Sequence, residues 1–295
     1  MRKQLFNRRP AREVGVEELL ALAQREVDPR EPASLLALAE PLYRLAGDPG
    51  LLQTCINHSL AYWRQGSTHF YSSQSCHIAS RGNFAIRINL WPLLPADPRR
   101  RAILADVLSY FDYHDHNFSF ITANYFGPGY ETEMYSYRRG AVAGYPGAPV
   151  ELDYHGRHML DANTVLLYEQ FHDIHMQLPP ARLSASLNLM MTPENAGLTD
   201  QFYFDVKRGR IRDYVASSSH KRVNALGFAR HFHDDRTLEL LLRILETHPC
   251  SRTRVEAGRL LVTLAGPQAL PAASATKMLR DPLALALWSR TAAVE

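Results

Sequence analysis

The stretch Tyr113-His114-Asp115-His116-Asn117-Phe118-Ser119-Phe120 carries the clearest chemical signature in the chain. On a strand, residues two apart share a face, so His114 and His116 would stand side by side, with Phe118 and Phe120 extending that face as an apolar wall. Two imidazoles on an apolar face are costly to bury unless something uses their nitrogens. A metal does so, because neutral imidazole is a good ligand for iron, zinc, copper or nickel. About sixty residues downstream, Phe171-His172-Asp173-Ile174-His175-Met176 offers a third ligand from His172 or His175. The ordinary alternative is a pair of surface or hydrogen-bonded core histidines.

The remaining histidines point elsewhere. His231 and His233 fall on an expected helix, where residues two apart face different ways and share a metal poorly. His155 and His158 flank Gly156 in an expected turn, and Cys76-His77 has no third group to make it a nucleophile.

The elements that must position the cluster fall into three stretches. Residues 13–64 have helical periodicity, interrupted at Asp28-Pro29 and at Gly47-Asp48-Pro49-Gly50. Phe84–Leu90 alternates as a strand, and Asp97-Pro98 starts a short helix to Leu108. Strands are then expected at 110–126, 130–138, 150–154, 163–169, 171–178 and 183–190, with turns at Gly127-Pro128-Gly129 and Gly140–Pro149. Successive short strands without helices predict an antiparallel barrel or sandwich. From about residue 206 the period is helical again, and Val223–Ala229 aligns with Val255–Leu261 at an offset of 32. A helix between two such copies is the pattern of a helical solenoid, and an ordinary helical tail packed on the barrel is the alternative.

Length and composition bound the rest. The 295 residues allow about two domains and a sizeable core; 46% hydrophobic and 21% charged residues exclude wholesale disorder. A net charge of +3 is too small to argue for nucleic acid by itself, although residues 206–295 hold fifteen Lys and Arg against eight Asp and Glu. Three cysteines without CxxC spacing exclude a disulfide scaffold and a cysteine-rich zinc site. No apolar run is long enough for a membrane span and the first residues lack an apolar signal core, so a cytoplasmic location is expected.

Taken together, His114-Asp115-His116-Asn117, the Gly127-Pro128-Gly129 turn, Glu133-Met134-Tyr135, Ile174-His175-Met176 and Ser186-Leu187-Asn188-Leu189 resemble the cupin superfamily, and within it the thiol dioxygenases of cysteine dioxygenase type. The resemblance covers about residues 80–192. It implies an α+β, mainly β fold: an antiparallel cupin-type β-barrel with N-terminal helices over 1–205, followed by a C-terminal α-helical segment over 206–295 that resembles HEAT-like repeats. It also implies ferrous iron held by His114, His116 and His175, with zinc, nickel or manganese as alternatives. His175 is preferred because the second cupin motif sets its ligand three residues after a glycine and five after a proline, positions filled here by His172 and Gln170. His172 then becomes a pocket residue, or the ligand if the register shifts. Phe120 and Ile121 stand where general cupins carry a glutamate ligand, which agrees with a three-histidine class. No cysteine follows the HxH pair, so the thioether cross-link of the mammalian-type enzymes is absent. Arg87 is the candidate partner of a substrate carboxylate, and Tyr125, Tyr135 and Tyr168 are candidate pocket donors.

The expected function is therefore an iron(II), O2-dependent oxidase or dioxygenase acting on a small molecule or a carrier- or peptide-bound amino-acid-like substrate. A zinc-type hydrolase or lyase is the first alternative, since three histidines with an open position also describe catalytic zinc. A non-enzymatic sensor or scaffold that recruits a protein partner through the helical tail is the second.

Overall fold

The computed structural model describes residues 2–6, 14–66, 69–216 and 218–289. The expected start of the first helical stretch, residue 13, and the last six residues of the expected tail lie outside them. The chain divides into two compact units, Met1–Tyr137 with Leu152–Glu194, and Arg138–Glu151 with Asn195–Glu295.

The first unit contains helices α1 (Val16–Glu26), α2 (Ala39–Leu45), α3 (Gly50–Ala61) and α4 (Pro98–Val107), with a 3-10 turn over Pro32–Leu38 ahead of α2. Asp97 caps α4 by accepting from the Arg100 N–H at 2.8 Å, and Pro98 fills the first helical position, where no N–H is needed. Its strands are β1 (Arg2–Leu5), β2 (Ser75–Arg81), β3 (Phe84–Trp91), β4 (Ser119–Phe126), β5 (Tyr130–Ser136), β6 (Asp153–Leu160), β7 (Thr164–Tyr168), β8 (Asp173–Gln177) and β9 (Ser184–Met191). They form a six-stranded antiparallel sheet, β1-β7-β4-β9-β3-β2, and a three-stranded sheet, β6-β5-β8.

The sheets do not close into the expected barrel. Among the described residues no strand pairing joins one sheet to the other. The outer edge of β8 is taken instead by the histidine-bearing segment, through isolated bridges Tyr110↔Gln177 and His114↔His175. The chain crosses between sheets at Gly127 and Gly129, whose φ angles are +75° and +87°. A Cβ on Gly129 would lie 1.7 Å from the Leu160 carbonyl oxygen, so only glycine fits there.

The six-stranded sheet has two unlike faces. Ile86, Ile88, Ile121, Ala123, Val165, Leu167, Leu187 and Leu189 point outward into a core shared with α1, α2 and the 3-10 turn. The alternate residues face the small sheet. There Arg87 pairs across to Asn188 and Asn188 to Thr122, while Asn89 pairs to Ser186 and Ser186 to Asn124. Trp91, Phe120, Leu166 and Tyr168 from this face meet Tyr130, Met134 and Leu160 from the other sheet.

Three expectations change here. The strand set at 150–154 runs instead over β6, so His155 and His158 are strand residues. His114 and His116 lie ahead of β4 in extended chain rather than within a strand. The helical period expected from residue 206 begins later, because β10 (Phe202–Asp205) and β11 (Arg210–Tyr214) form a hairpin in the second unit. Its turn uses Gly209 at φ +56°, and the basic run through it hides the alternation.

The second unit continues with α5 (Ser218–Ala229), α6 (Asp235–Thr247), α7 (Ser251–Ala265), α8 (Ala272–Leu279) and α9 (Pro282–Ser289). Leu241, Leu245, Val255, Leu260 and Leu261 are buried between α6 and α7, with Leu226 of α5 packed against them. An Asp234–Thr237 capping box starts α6. His231 and His233 sit in the turn between α5 and α6, not on a helix. Arg252 and Asp200 form a buried ion pair at 3.0 Å, with the Arg252 guanidinium 3.6 Å from the centre of the Tyr214 ring. No helix of the described residues is long and apolar enough to cross a membrane.

Candidate metal centre

Two chain segments, the one ahead of β4 and the one that carries β8, bring His114, His116 and His175 together. His114 and His175 exchange backbone hydrogen bonds, each N–H donating to the other's carbonyl at 3.0 Å. Opposed residues of such a bridge present side chains to the same side. His116 follows two residues on, held by the Phe171 N–H donating to its carbonyl at 3.0 Å. Phe171 adopts φ +56°, and Ser109 and Phe111 on the approach to His114 adopt +52° and +66°. Left-handed backbone at non-glycine residues stores strain, and among the described residues it is confined to the segments that carry the histidines.

The three imidazoles each turn one nitrogen inward, and these ligand atoms all lie within 4.8 Å of one another. Among the described residues this is the single group of three or more His, Cys, Asp or Glu side chains placed to hold a metal, and it contains no carboxylate. His175 is 2% exposed. Burial first, then the neighbouring His114 and His116 and the positive Arg87, hold its pKa well below 6.5, so the ring is neutral and able to donate a lone pair. The Asp112 carbonyl accepts from His114 Nδ1 at 2.9 Å, which leaves Nε2 as the nitrogen free to face a metal. Between the two ligands Asp115 turns the opposite way into a fully buried position, where it accepts the Tyr137 hydroxyl hydrogen bond at 2.6 Å. The donor set, the convergence and the neutral state fit a first-row divalent ion such as iron, zinc, nickel or manganese.

Arg87 lies on the same inner face. Its guanidinium stands 5.6 Å from the Phe118 ring centre and 6.0 Å from that of Phe120, and these rings in turn flank His116 at 4.5 and 5.4 Å. It donates to the Tyr71 hydroxyl at 3.3 Å, while its Nε is buried without a hydrogen bond. Tyr168 stacks on Phe120 at 4.6 Å and stands 4.5 Å from the His175 ring. Burial and the nearby Tyr130 hold the Tyr168 phenol protonated, and burial pushes Tyr130 itself to about 12.

The other expected site residues are placed elsewhere. Tyr125 belongs to the outward face of β4, where its hydroxyl accepts from the Leu52 N–H at 3.3 Å beneath α3. Tyr135 points to the far side of the small sheet, 5.6 Å from Tyr113 and 4.9 Å from Tyr154. His172 is half-exposed and its Nδ1 pairs with Asp173 Oδ1 at 3.0 Å, outside the cluster. Gln177, unnoticed in the sequence, sets its amide nitrogen 2.7 Å from His175 Nδ1. The signal was available: it lies two residues past His175 on the same strand face.

No protein-family model matches the chain, and no curated protein matches it. Among solved structures it is similar to a DMSP lyase, DddQ from Ruegeria pomeroyi DSS-3, at 15% identity and a TM-score of 0.27, over 63% of this chain and 93% of that one. A structure of the DMSP lyases RdDddP and RnDddQII aligns at 10% identity and a TM-score of 0.22, over 43% of this chain and 50% of that one. The chain thus spans half the length of that lyase. Cobalt(II) HppE aligns at 12% identity and a TM-score of 0.21, over 60% of this chain and 98% of that one. Likenesses this remote leave the chemistry to be argued from the residues themselves.

Proposed function

We propose that the first unit is a metal-dependent enzyme in which His114, His116 and His175 hold ferrous iron for O2-dependent oxidation of a small, or carrier- or peptide-bound, amino-acid-like substrate. The observation that carries this reading is the all-imidazole ligand set, with no carboxylate in reach, set beside an aromatic wall and an arginine. Ferrous iron held by these three residues would supply the redox chemistry with O2. The chain's own residues do the rest. Arg87 offers its guanidinium to an anionic group of the substrate, and Phe118 and Phe120 keep water from the same side. Tyr168 sets its ring beside His175 and keeps its phenol protonated.

Protein purified without oxygen and loaded with Fe(II) should bind one equivalent, give a high-spin iron–nitrosyl EPR signal with nitric oxide, and consume O2 with thiols or amino acids as substrates. One tightly bound zinc with no iron-restored O2 uptake overturns the oxidative reading. It would favour a zinc-type lyase or hydrolase, for which the protonated Tyr168 phenol is a ready proton donor.

A further inference from the structure

The extended chain ahead of β4 sends alternate side chains to opposite sides. His114 and His116 point into the cluster, and Asp115 between them points away. Two backbone contacts hold this segment. His114 exchanges hydrogen bonds with His175, and the Phe171 N–H donates to the His116 carbonyl, all at 3.0 Å. Bonds of this kind lie in the plane of the paired chains, whereas side chains stand roughly perpendicular to it. They fix where the segment lies and leave its roll about its own length soft. Roll is the motion a metal site tolerates least, because it swings His114 and His116 together away from His175.

Asp115 supplies the restraint that the backbone lacks. Its carboxylate is fully buried and accepts from the Tyr137 hydroxyl at 2.6 Å, the length of a hydroxyl bond to a carboxylate. Tyr137 is buried too, so water does not compete for either partner. The backbone of Tyr137 is tied to the other ligand-bearing segment. Its N–H donates to the His172 carbonyl at 3.0 Å, one residue beyond the last ladder pair of β5 and β8, Ser136 with Asp173. The chain leaves the first unit directly afterwards, at Arg138. One residue at the end of β5 therefore grips both segments, by its hydroxyl on one and by its N–H on the other.

We propose that Tyr137 is a positioning residue of the metal centre: its hydroxyl, bonded to Asp115, sets the roll of the His114–His116 segment against β8 so that the three imidazoles converge. It reaches the ligands from the side away from their inward nitrogens and touches neither metal nor substrate. The effect on metal binding rests on the three-histidine reading, whereas the effect on the segment is a property of the protein without metal.

Tyr137→Phe removes the hydroxyl and keeps the ring. Its cobalt(II) affinity, measured by chelator competition, should fall roughly 10- to 100-fold, with a changed visible spectrum of the bound ion. Without metal, hydrogen exchange at the His114 and His175 amides should quicken roughly tenfold, about the worth of one buried hydrogen bond. Tyr43→Phe is the control: it removes another buried hydroxyl of the same unit, which donates to Asn163 Oδ1 at 3.3 Å, and should change neither quantity. Cobalt binding in Tyr137→Phe as tight as in the wild type, or exchange unchanged at those two amides, overturns the proposal. So does a Tyr137→Phe protein that does not fold, since the hydroxyl would then hold the core rather than the site. A wild type that takes up no cobalt overturns the metal centre instead, and the exchange measurement alone then decides what Tyr137 holds.

Discussion

The outer and inner faces of the six-stranded sheet are made by alternate residues of the same strands, and they do opposite work. The outer face, with Ile86, Ile121, Leu187 and Leu189, is aliphatic and packs beneath the helices. The inner face, one residue away at each step, carries Arg87, Asn89, Thr122, Asn124, Ser186 and Asn188. Aliphatic burial is therefore heaviest on the outer side, while the inner side combines the cluster of Trp91, Phe120, Leu166 and Tyr168 with polar side chains that can build a site.

The sharpest way to break this division is to cut each face once. Leu189→Ala on the outer face removes a fully buried side chain from the core, and the expected loss is about 2–5 kcal/mol of unfolding free energy. Metal stoichiometry of the folded fraction should not change. His114→Ala, His116→Ala and His175→Ala should do the reverse. Each should abolish stoichiometric Fe(II) or Co(II) binding, read by elemental analysis after desalting, while the far-UV circular dichroism remains that of the wild type. His172→Ala should keep the metal. Ligand variants that unfold, or a Leu189 variant that loses metal while folded, would show that core and site are one structure.

A finer cut uses one residue type on both faces. Tyr125→Phe removes a hydroxyl that accepts a backbone N–H under α3, and should cost about 1 kcal/mol or less, with substrate turnover unaltered. Tyr168→Phe removes the buried hydroxyl of a ring that stands 4.5 Å from the His175 ring, and should leave stability nearly unchanged while lowering kcat by about 10-fold or more. Equal effects of the two variants on kcat would remove Tyr168 from the site.

Much of this division was legible in the alternation of the strands, and much was not. His114 and His116 could be paired from their spacing because extended chain keeps the two-residue repeat even where no ladder forms. The third ligand rested on resemblance, since the bridge between His114 and His175 joins residues far apart in the chain and no local propensity encodes it. Tyr125 and Tyr135 were read as pocket residues because strand spacing says which residues share a face, not which face meets the site. The inner-face amides at Asn89, Asn124 and Asn188 stood in plain sight, but an alternating pattern is usually read for its apolar half. β1 is only four residues long, Arg2–Leu5, and its place beside β7 is set by pairing rather than by its own composition. Gln177 was missed because glutamine carries no chemistry until its neighbour is known.

The smallest expected effect separates two histidines three residues apart. His172 is half-exposed, and its hydrogen bond to Asp173, followed by the charges of Asp173 and Glu169, raises its pKa above 6.5, against a smaller opposing cost of burial. A histidine whose folded pKa lies above the unfolded one contributes stability that is fully present below about 6.5 and is lost as pH rises through the folded value. His175 has the opposite sense: its folded pKa is depressed, so the metal-free fold binds fewer protons than the unfolded chain and weakens as pH falls below 6.5. His172→Gln removes the first effect and leaves the second in place. The difference in urea midpoint between wild type and His172→Gln, measured without metal from about pH 5 to about pH 8, isolates His172 because the His175 contribution cancels between the two proteins. That difference should favour the wild type at the acid end and shrink towards the alkaline end. A difference that grows with pH would mean that the Asp173 contact does not hold the charged form of His172, and that this edge of the site is built around a neutral ring like its interior.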